Sequence, residues 1–569
     1  LLKRHPKKLV VFAALFCLIV GWLYWNRPAR DDMAAMAPAD SLAFIEANDL
    51  PALASGLEDS EAWRALAGPL DAPTSLLPHR WLVRLARWTG LGPIDAVLAA
   101  RSQVALVFTQ AQASQDESTL TIKPLAALII QTHTSQRRMR PALEKHIARF
   151  AEKAYGQPSL VRKQLDGVDL AVWSSTDNTR HLVLAFVDTV AILGNDESVV
   201  MRCVDVRRGK QQPLSVDKQL GQLRQQVSAP SASLFGFIPK AGVKPVIQAW
   251  ALSRAGGSSD AATVVRLISS MFGNLIDGFA WTARFDHSGV EDRFFVSLSA
   301  GVAEKFRNNV SPEPFRLDEF SYVPNDASSV TSYRFRNPDG FWRDLNTVVS
   351  SHADALGAIA SRPFLRSLLE PYGIDDADVF FAAAGAPMQV IRLESGTPAV
   401  LVAESFDRPI LRKLAQRRLG DKPKTELLGE TETMLSPTHN WSAAFEGNRF
   451  FTGPADAVRR CLSAKAQSQS LTSVESFRRA QSYIDVSVPI FALSFANDSS
   501  AAVSFVELFS TQERSAFSAN AVSIQRGVQS LPYAVSATVI KADGIEWTSK
   551  SSFGLIGSLF TSFAPENSR

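Results

Sequence analysis

The chain comes close to repeating itself, and no other feature constrains its fold as tightly. Pro38-Ala39-Asp40-Ser41, followed by the apolar run Leu42-Ala43-Phe44-Ile45, is answered by Pro324-Asn325-Asp326-Ala327-Ser328, at an offset of 286. Leu85 to Asp95 answers Leu368 to Asp378 at 283, and the run after Pro124 answers the run after Pro398 at 274. Gly194, with a helix ending at Cys203, answers Gly453 and a helix ending at Cys461, near 259. Leu234-Phe235-Gly236-Phe237 pairs with Ile490-Phe491-Ala492-Leu493 at 256, and Asp286 to Gly289 with Lys541 to Gly544 at 255. Six matches in one order, with a steadily falling offset, denote a duplication with net deletions in the second copy. Trp63-Arg64-x-Leu66 against Trp342-Arg343-x-Leu345 breaks the trend and is set aside.

The copies run from 38 to 301 and from 323 to 563, joined by a linker over 302–322 that contains the polar, proline-bearing stretch Asn308 to Pro314, and followed by a short tail, 564–569. Each copy is long enough to bury a core of its own. Short apolar runs such as Leu182 to Val187 and Ala534 to Val539 read as strands, and Asp543-Gly544 as a hairpin turn. Met139, Leu143, Ile147 and Phe150 lie on one helical stripe. Helices fall between hairpins. The expected fold is therefore α+β: an N-terminal single transmembrane helix, then two tandem, internally duplicated α+β domains with largely antiparallel sheets.

The transmembrane expectation rests on Leu9 to Trp25, 17 residues without a charge, about 25 Å long as a helix. Leu9, Phe12, Leu15 and Leu18 supply the apolar body, and Trp22, Tyr24 and Trp25 an interfacial belt. Residues 1–8 form a basic tail and 26–37 a linker to the first copy. The basic flank predicts a signal anchor, N-terminus cytoplasmic and everything after residue 25 outside. The alternative is cleavage at Ala35-Met36-Ala37. The formal charge of +4 resides wholly in residues 1–32; the other 537 carry 54 charges of each sign, which gives no nucleic-acid footprint.

Motifs that carry chemistry are scarce. None of the eight histidines stands in a metal-binding helix motif, and cysteine spacing excludes a cysteine-based metal site, so no metal or cofactor is expected. Cys203 and Cys461 read as buried residues of matching helices. Ser215-Val216-Asp217-Lys218 fits an acyl-transfer pattern without its companion motifs. Gly256-Gly257-Ser258-Ser259-Asp260 reads as a flexible loop, and Asn497-Asp498-Ser499 fits a glycosylation pattern of a kind common by chance. Two basic helices recur after equivalent strands. Arg137, Arg138, Arg140, Lys145, Arg149 and Lys153 form the first; Arg408, Arg412, Lys413, Arg417 and Arg418 the second. They read as solvated charge or as a surface for an anionic partner.

With the anchor before it and the Gly194 strand–helix step after it, Pro38-Ala39-Asp40-Ser41-Leu42-Ala43-Phe44-Ile45-Glu46-Ala47-Asn48-Asp49 resembles an uncharacterised family of bacterial signal-anchored envelope proteins, a domain of unknown function that opens with Pro-Ala-Asp-Ser/Thr. The resemblance implies fold and location, a bacterial inner (cytoplasmic) membrane with the bulk of the chain periplasmic or extracytoplasmic, and brings no catalytic residues. The expected function is a membrane-anchored, non-enzymatic scaffold or accessory subunit of an envelope complex, with protein partners. The alternative is binding or handling of a lipid or other apolar ligand, in a cavity lined by Phe235, Phe237, Phe279, Trp281 and their counterparts. A third reading is a hydrolase built on one of the histidines.

Overall fold

The computed structural model describes residues 30–72, 102–115, 120–255, 261–394, 396–420, 422–428, 431–485, 488–509 and 520–563. In the first copy the strands are β1 (Ala43–Ala47), β2 (Gln103–Gln115), β3 (Leu120–Gln131), β4 (Ser159–Leu165), β5 (Val168–Ser174), β6 (His181–Val187), β7 (Val190–Gly194), β8 (Leu234–Pro239), β9 (Ile276–Asp286) and β10 (Gly289–Leu298). The second copy supplies β11 (Ser329–Tyr333), β12 (Ala384–Arg392), β13 (Val400–Ser405), β14 (Lys424–Leu428), β15 (Thr431–Leu435), β16 (Ser442–Glu446), β17 (Arg449–Gly453), β18 (Ala492–Ala496), β19 (Ala534–Ile540) and β20 (Gly544–Ser551).

Backbone pairing arranges the first ten as β4-β5-β6-β7-β3-β2-β1-β8-β9-β10, every pair antiparallel. The second ten take the corresponding order, β14-β15-β16-β17-β13-β12-β11-β18-β19-β20. The two series then join edge to edge. β10 pairs with β20 from Val290↔Ser551 to Ser297↔Gly544 and completes one sheet of 20 strands. Arg293 faces Thr548, the residue at its own position in the other copy, so a pseudo-twofold axis passes through this pair. Glycine is required at both ends of the joint. A Cβ at Gly289, which sits at φ +129, would lie 2.3 Å from the Ser551 carbonyl oxygen, and one at Gly544 would lie 2.2 Å from that of Val296.

Two expectations are corrected here. The copies are not separate tandem domains with a sheet each, because β10 and β20 satisfy their open edges on one another. The single-pass inner-membrane placement, with its signal anchor and periplasmic bulk, is also corrected. No helix among the described residues is long and apolar enough to cross a membrane, and the 9–25 segment expected to do so lies outside them. The longest helix among the described residues, Gln136–Tyr155, is studded with arginine, lysine and glutamate. Met33, Ala34, Met36 and Ala37, at the cleavage site considered above, are packed into the first core.

Helices cover both faces of the sheet. In β6, Val183 and Ala185 pack in the core that holds the helix Glu197–Arg207, while Leu184 and Phe186 pack with Gln136–Tyr155. In the second copy Val400, Val402, Ala444 and Phe451 meet Ala455–Ala466, and Leu401, Ala403, Ala443 and Phe445 meet Arg408–Leu419. An ion pair recurs too: Arg202 with Asp40, and Arg460 with Asp326 at 2.5 Å. The expected linker is itself structured. It holds the helix Val302–Asn308 and a 3-10 turn, Leu317–Tyr322, and buries Phe306, Val310 and Phe320.

Across the joint the copies exchange helices. Glu61–Leu66 of the first packs against Ser499–Glu507 and Ala521–Ser530 of the second, while Ala261–Phe272 of the first packs against Pro338–His352 and Ala355–Ser367 of the second. Trp63 and Trp342, set aside as equivalents, belong to different clusters. The β8–β18 alignment slips by two residues from the sequence expectation. Leu234 faces Ala47 and Ala492 faces Tyr333, so Phe235 answers Leu493 and Phe237 answers Phe495. A two-residue slip keeps the same face buried, which is why alternation alone does not detect it. Leu85 to Asp95 lies outside the described residues.

Candidate functional site at the joint

Beside the pseudo-twofold axis, alternate residues of five strands form a floor of unusually small and polar side chains. Thr331, Ser494, Ser536, Ser549 and Asp292 stand opposite one another in a single cross-strand row over β11, β18, β19, β20 and β10. Thr331 Oγ1 and Ser494 Oγ are 2.8 Å apart. Ala496, Ala534 and Ser551 make the next row. Above the floor lie Asp498, Ala501 and Ala502 at the start of the helix Ser499–Glu507, and Phe553 to Ser558 around the start of Gly554–Phe563. Because the floor lacks bulk, a cavity of about 290 Å³ remains. One wall is aromatic: Phe294 and Trp547 stack with ring centroids 4.5 Å apart, and Trp547 is 39% exposed.

Among the described residues, two carboxylates line the cavity, with no lysine, arginine or histidine. Asp292 is buried; its Oδ1 accepts from Trp281 Nε1 at 2.8 Å and its Oδ2 from the Leu555 backbone N–H at 2.8 Å. Burial outweighs these bonds and pushes its carboxyl up to about 6. Asp498 accepts from the Ser552 backbone N–H at 2.9 Å, and burial raises its carboxyl as well. Its other oxygen, Oδ1, is shielded from solvent and has no hydrogen-bond partner; the Ser552 hydroxyl lies nearby without hydrogen-bond geometry. Asn497 caps the same turn, accepting from the Ser499 N–H at 3.1 Å and its hydroxyl at 2.5 Å.

The folded chain keeps a proton on Asp292 at a pH where the unfolded chain has released it. Stability from this group should therefore be highest below about pH 4, fall as pH rises toward about 6, and stay lower above, with a full span of about 3 kcal/mol. Urea midpoints at pH 4.5 and 7.5 should differ in the wild type by more than in Asp292→Asn. Equal differences would show that Asp292 ionises freely.

Sequence reasoning named other residues. Phe235 and Phe237 are packed in the first core, and Trp281 is buried beside Phe294, its cross-strand neighbour, and none of the three lines the cavity; Phe294 and Trp547 do. In the basic helices most arginines have partners. Arg140 contacts Glu144 and Asp169, Arg412 binds Glu432 at 2.6 Å, and Arg417 reaches Asp376 at 4.0 Å. Arg408 lies over Phe445 and Arg418 over Trp441. Arg137, Arg138, Arg149 and Lys413 are exposed.

Histidines are dispersed, and no cluster of three or more metal-ligating side chains occurs among the described residues. His181 Nδ1 meets Ser174 Oγ at 2.9 Å, His352 Nδ1 the Val348 carbonyl at 2.9 Å, and His287 Nδ1 the Asp59 carbonyl at 3.5 Å. Asp217 of the acyl-transfer pattern caps the next helix through the Gln219 N–H. Gly256 to Asp260 lies outside the described residues. No protein-family model, curated protein or solved structure matches the chain.

Cys203 and Cys461 are free, in separate cores, with thiols pushed up to about 12 by burial. In a Cys17→Ser variant neither should react with a thiol-exchange reagent at pH 8 until denaturant is added, when both should react. Prompt labelling of the native protein would contradict their placement.

A second cleft, of about 630 Å³, lies by Arg334, Arg336, Arg316 and Arg449, with Glu313, Asp318, Glu319 and Glu404. Its charges are largely spent on one another: Arg334 pairs with Glu319 and Glu313, Arg316 with Asp318, and Arg449 stacks on Tyr322.

Proposed function

We propose that the protein is a non-enzymatic binding protein whose joint holds a small ligand with an apolar body. The cavity beside β10 and β20 carries this reading: both copies contribute to it, its surface is mainly apolar, and its few polar groups converge from the floor and from two helix starts. Its volume suits roughly a dozen non-hydrogen atoms, given about 30 Å³ for a water in liquid. Native mass spectrometry of the full chain purified from its own cells tests it. Retention of one defined small molecule, lost in Ser536→Leu, which fills the floor, supports the reading; equal retention in that variant places the molecule elsewhere and overturns it.

A second reading, a scaffold or accessory subunit, is favoured by β4, the outermost strand of its half. All seven of its residues are exposed, Leu160, Val161 and Leu165 among them, and no strand among the described residues pairs with the other side of its backbone. Such an edge accepts a further strand from a partner. A photocrosslinker at Val161 should then capture one stoichiometric protein, and Val161→Pro should abolish it; capture unaffected by proline would exclude strand pairing.

A further inference from the structure

Resting on the binding reading above, we propose that the ligand of the joint cavity is an organic ammonium, its cation against the Asp498 carboxylate and its carbon body along Phe294 and Trp547. Three independent observations lead there. The described residues that line the cavity include two carboxylates and several hydroxyls but no basic side chain, so their formal charge is uncompensated from within. Asp498 lines it, and its Oδ1 is shielded from solvent and has no hydrogen-bond partner, although a buried carboxylate oxygen normally finds a donor. The stacked Phe294–Trp547 pair offers the electron-rich faces that attract alkylammonium groups.

Structural duty accounts for only part of this arrangement. Asp292 is occupied on both oxygens, by Trp281 and by the first turn of Gly554–Phe563. Asp498 uses one oxygen on Ser552 and leaves the other without a hydrogen-bond partner. A cation would complete its shell and lower the cost of burying its charge. The mainly apolar wall selects a cation sheathed in carbon over a hydrated metal ion, which would need more oxygen ligands than two carboxylates supply.

The test uses the full chain and two probes of the same shape, benzyltrimethylammonium and its uncharged carbon isostere neopentylbenzene, titrated by calorimetry and by Trp547 emission against a Trp547→Leu control. The ammonium should bind at least tenfold tighter than the isostere. Asp498→Asn, nearly the same size, should reduce that preference to less than twofold while leaving the isostere's affinity unchanged. Should Asp498→Asn fail to fold, Trp547→Leu, at a half-exposed position, should itself weaken the ammonium about tenfold. Equal affinity for both probes overturns the ammonium proposal and leaves an apolar binding cavity. Binding of neither overturns the cavity's binding role together with it.

Discussion

Trp63→Ala is expected to cost about 3–5 kcal/mol of folding stability, the range for removing a fully buried aromatic. Trp63 is inaccessible to solvent and meets three phenylalanines edge-on: Phe509 at 5.2 Å, Phe553 at 6.4 Å and Phe505 at 6.5 Å. Those three rings belong to the second copy, so the cavity left by alanine opens between copies and not within one. The loss should weaken the joint first, and Phe553, which lines the joint cavity, would lose one of its supports. Urea unfolding gives the magnitude, and amide exchange in β10 and β20 against β5 and β6 gives the location. A cost under about 1 kcal/mol, or faster exchange confined to β5 and β6, would show that the helix Glu61–Leu66 is not part of what holds the copies together.

Arg334→Met should cost about 3–5 kcal/mol for a different reason. Arg334 and Glu319 are both buried and in direct contact, with Phe315 4.9 Å beneath the guanidinium. Burial lowers the Arg334 pKa, and the nearby Glu313 carboxylate opposes that shift. Methionine preserves much of the volume but leaves the Glu319 charge buried without its counter-charge. The pair is imperfect as it stands, since Arg334 Nε and Glu319 Oε2 have no hydrogen-bond partner. Arg334→Met with Glu319→Leu should therefore recover most of the loss, because a hydrophobic pair of similar size is often as stable as the ions. A double variant no better than the single one would locate the cost in packing against Phe315.

What the sequence revealed of this molecule, and what it hid, follows from where side chains carry information. Gly194 and Gly453 were legible as counterparts because each is crowded: a Cβ would press on Val200 in one copy and on the Val400 backbone in the other. Cys203 and Cys461 were legible as counterparts because each sits on an apolar helical stripe. The shared sheet was not legible, because an open strand edge is made of backbone N–H and C=O groups that every residue possesses. β10 and β20 read as strands with no indication of their neighbour. The cavity was obscured similarly. Asp292 stands between Glu291 and Arg293 and looks like one of a run of surface charges, and Asp498 was absorbed into a glycosylation pattern. A usable signal existed in Ser494, Ser536, Ser549 and Ser551: small polar residues at alternating positions of neighbouring strands, where a packed face needs bulk.

The axis through Arg293 and Thr548 also affects how the molecule responds to dilution. A twofold joint between separate chains is a bimolecular equilibrium, and its population falls as the protein is diluted. Here both partners lie on one polypeptide, so closing the joint is a first-order event with an effective concentration set by the connecting chain. The melting temperature should accordingly be independent of protein concentration. Cutting the chain within the 302–322 connection would restore the bimolecular law without removing a single strand of the sheet.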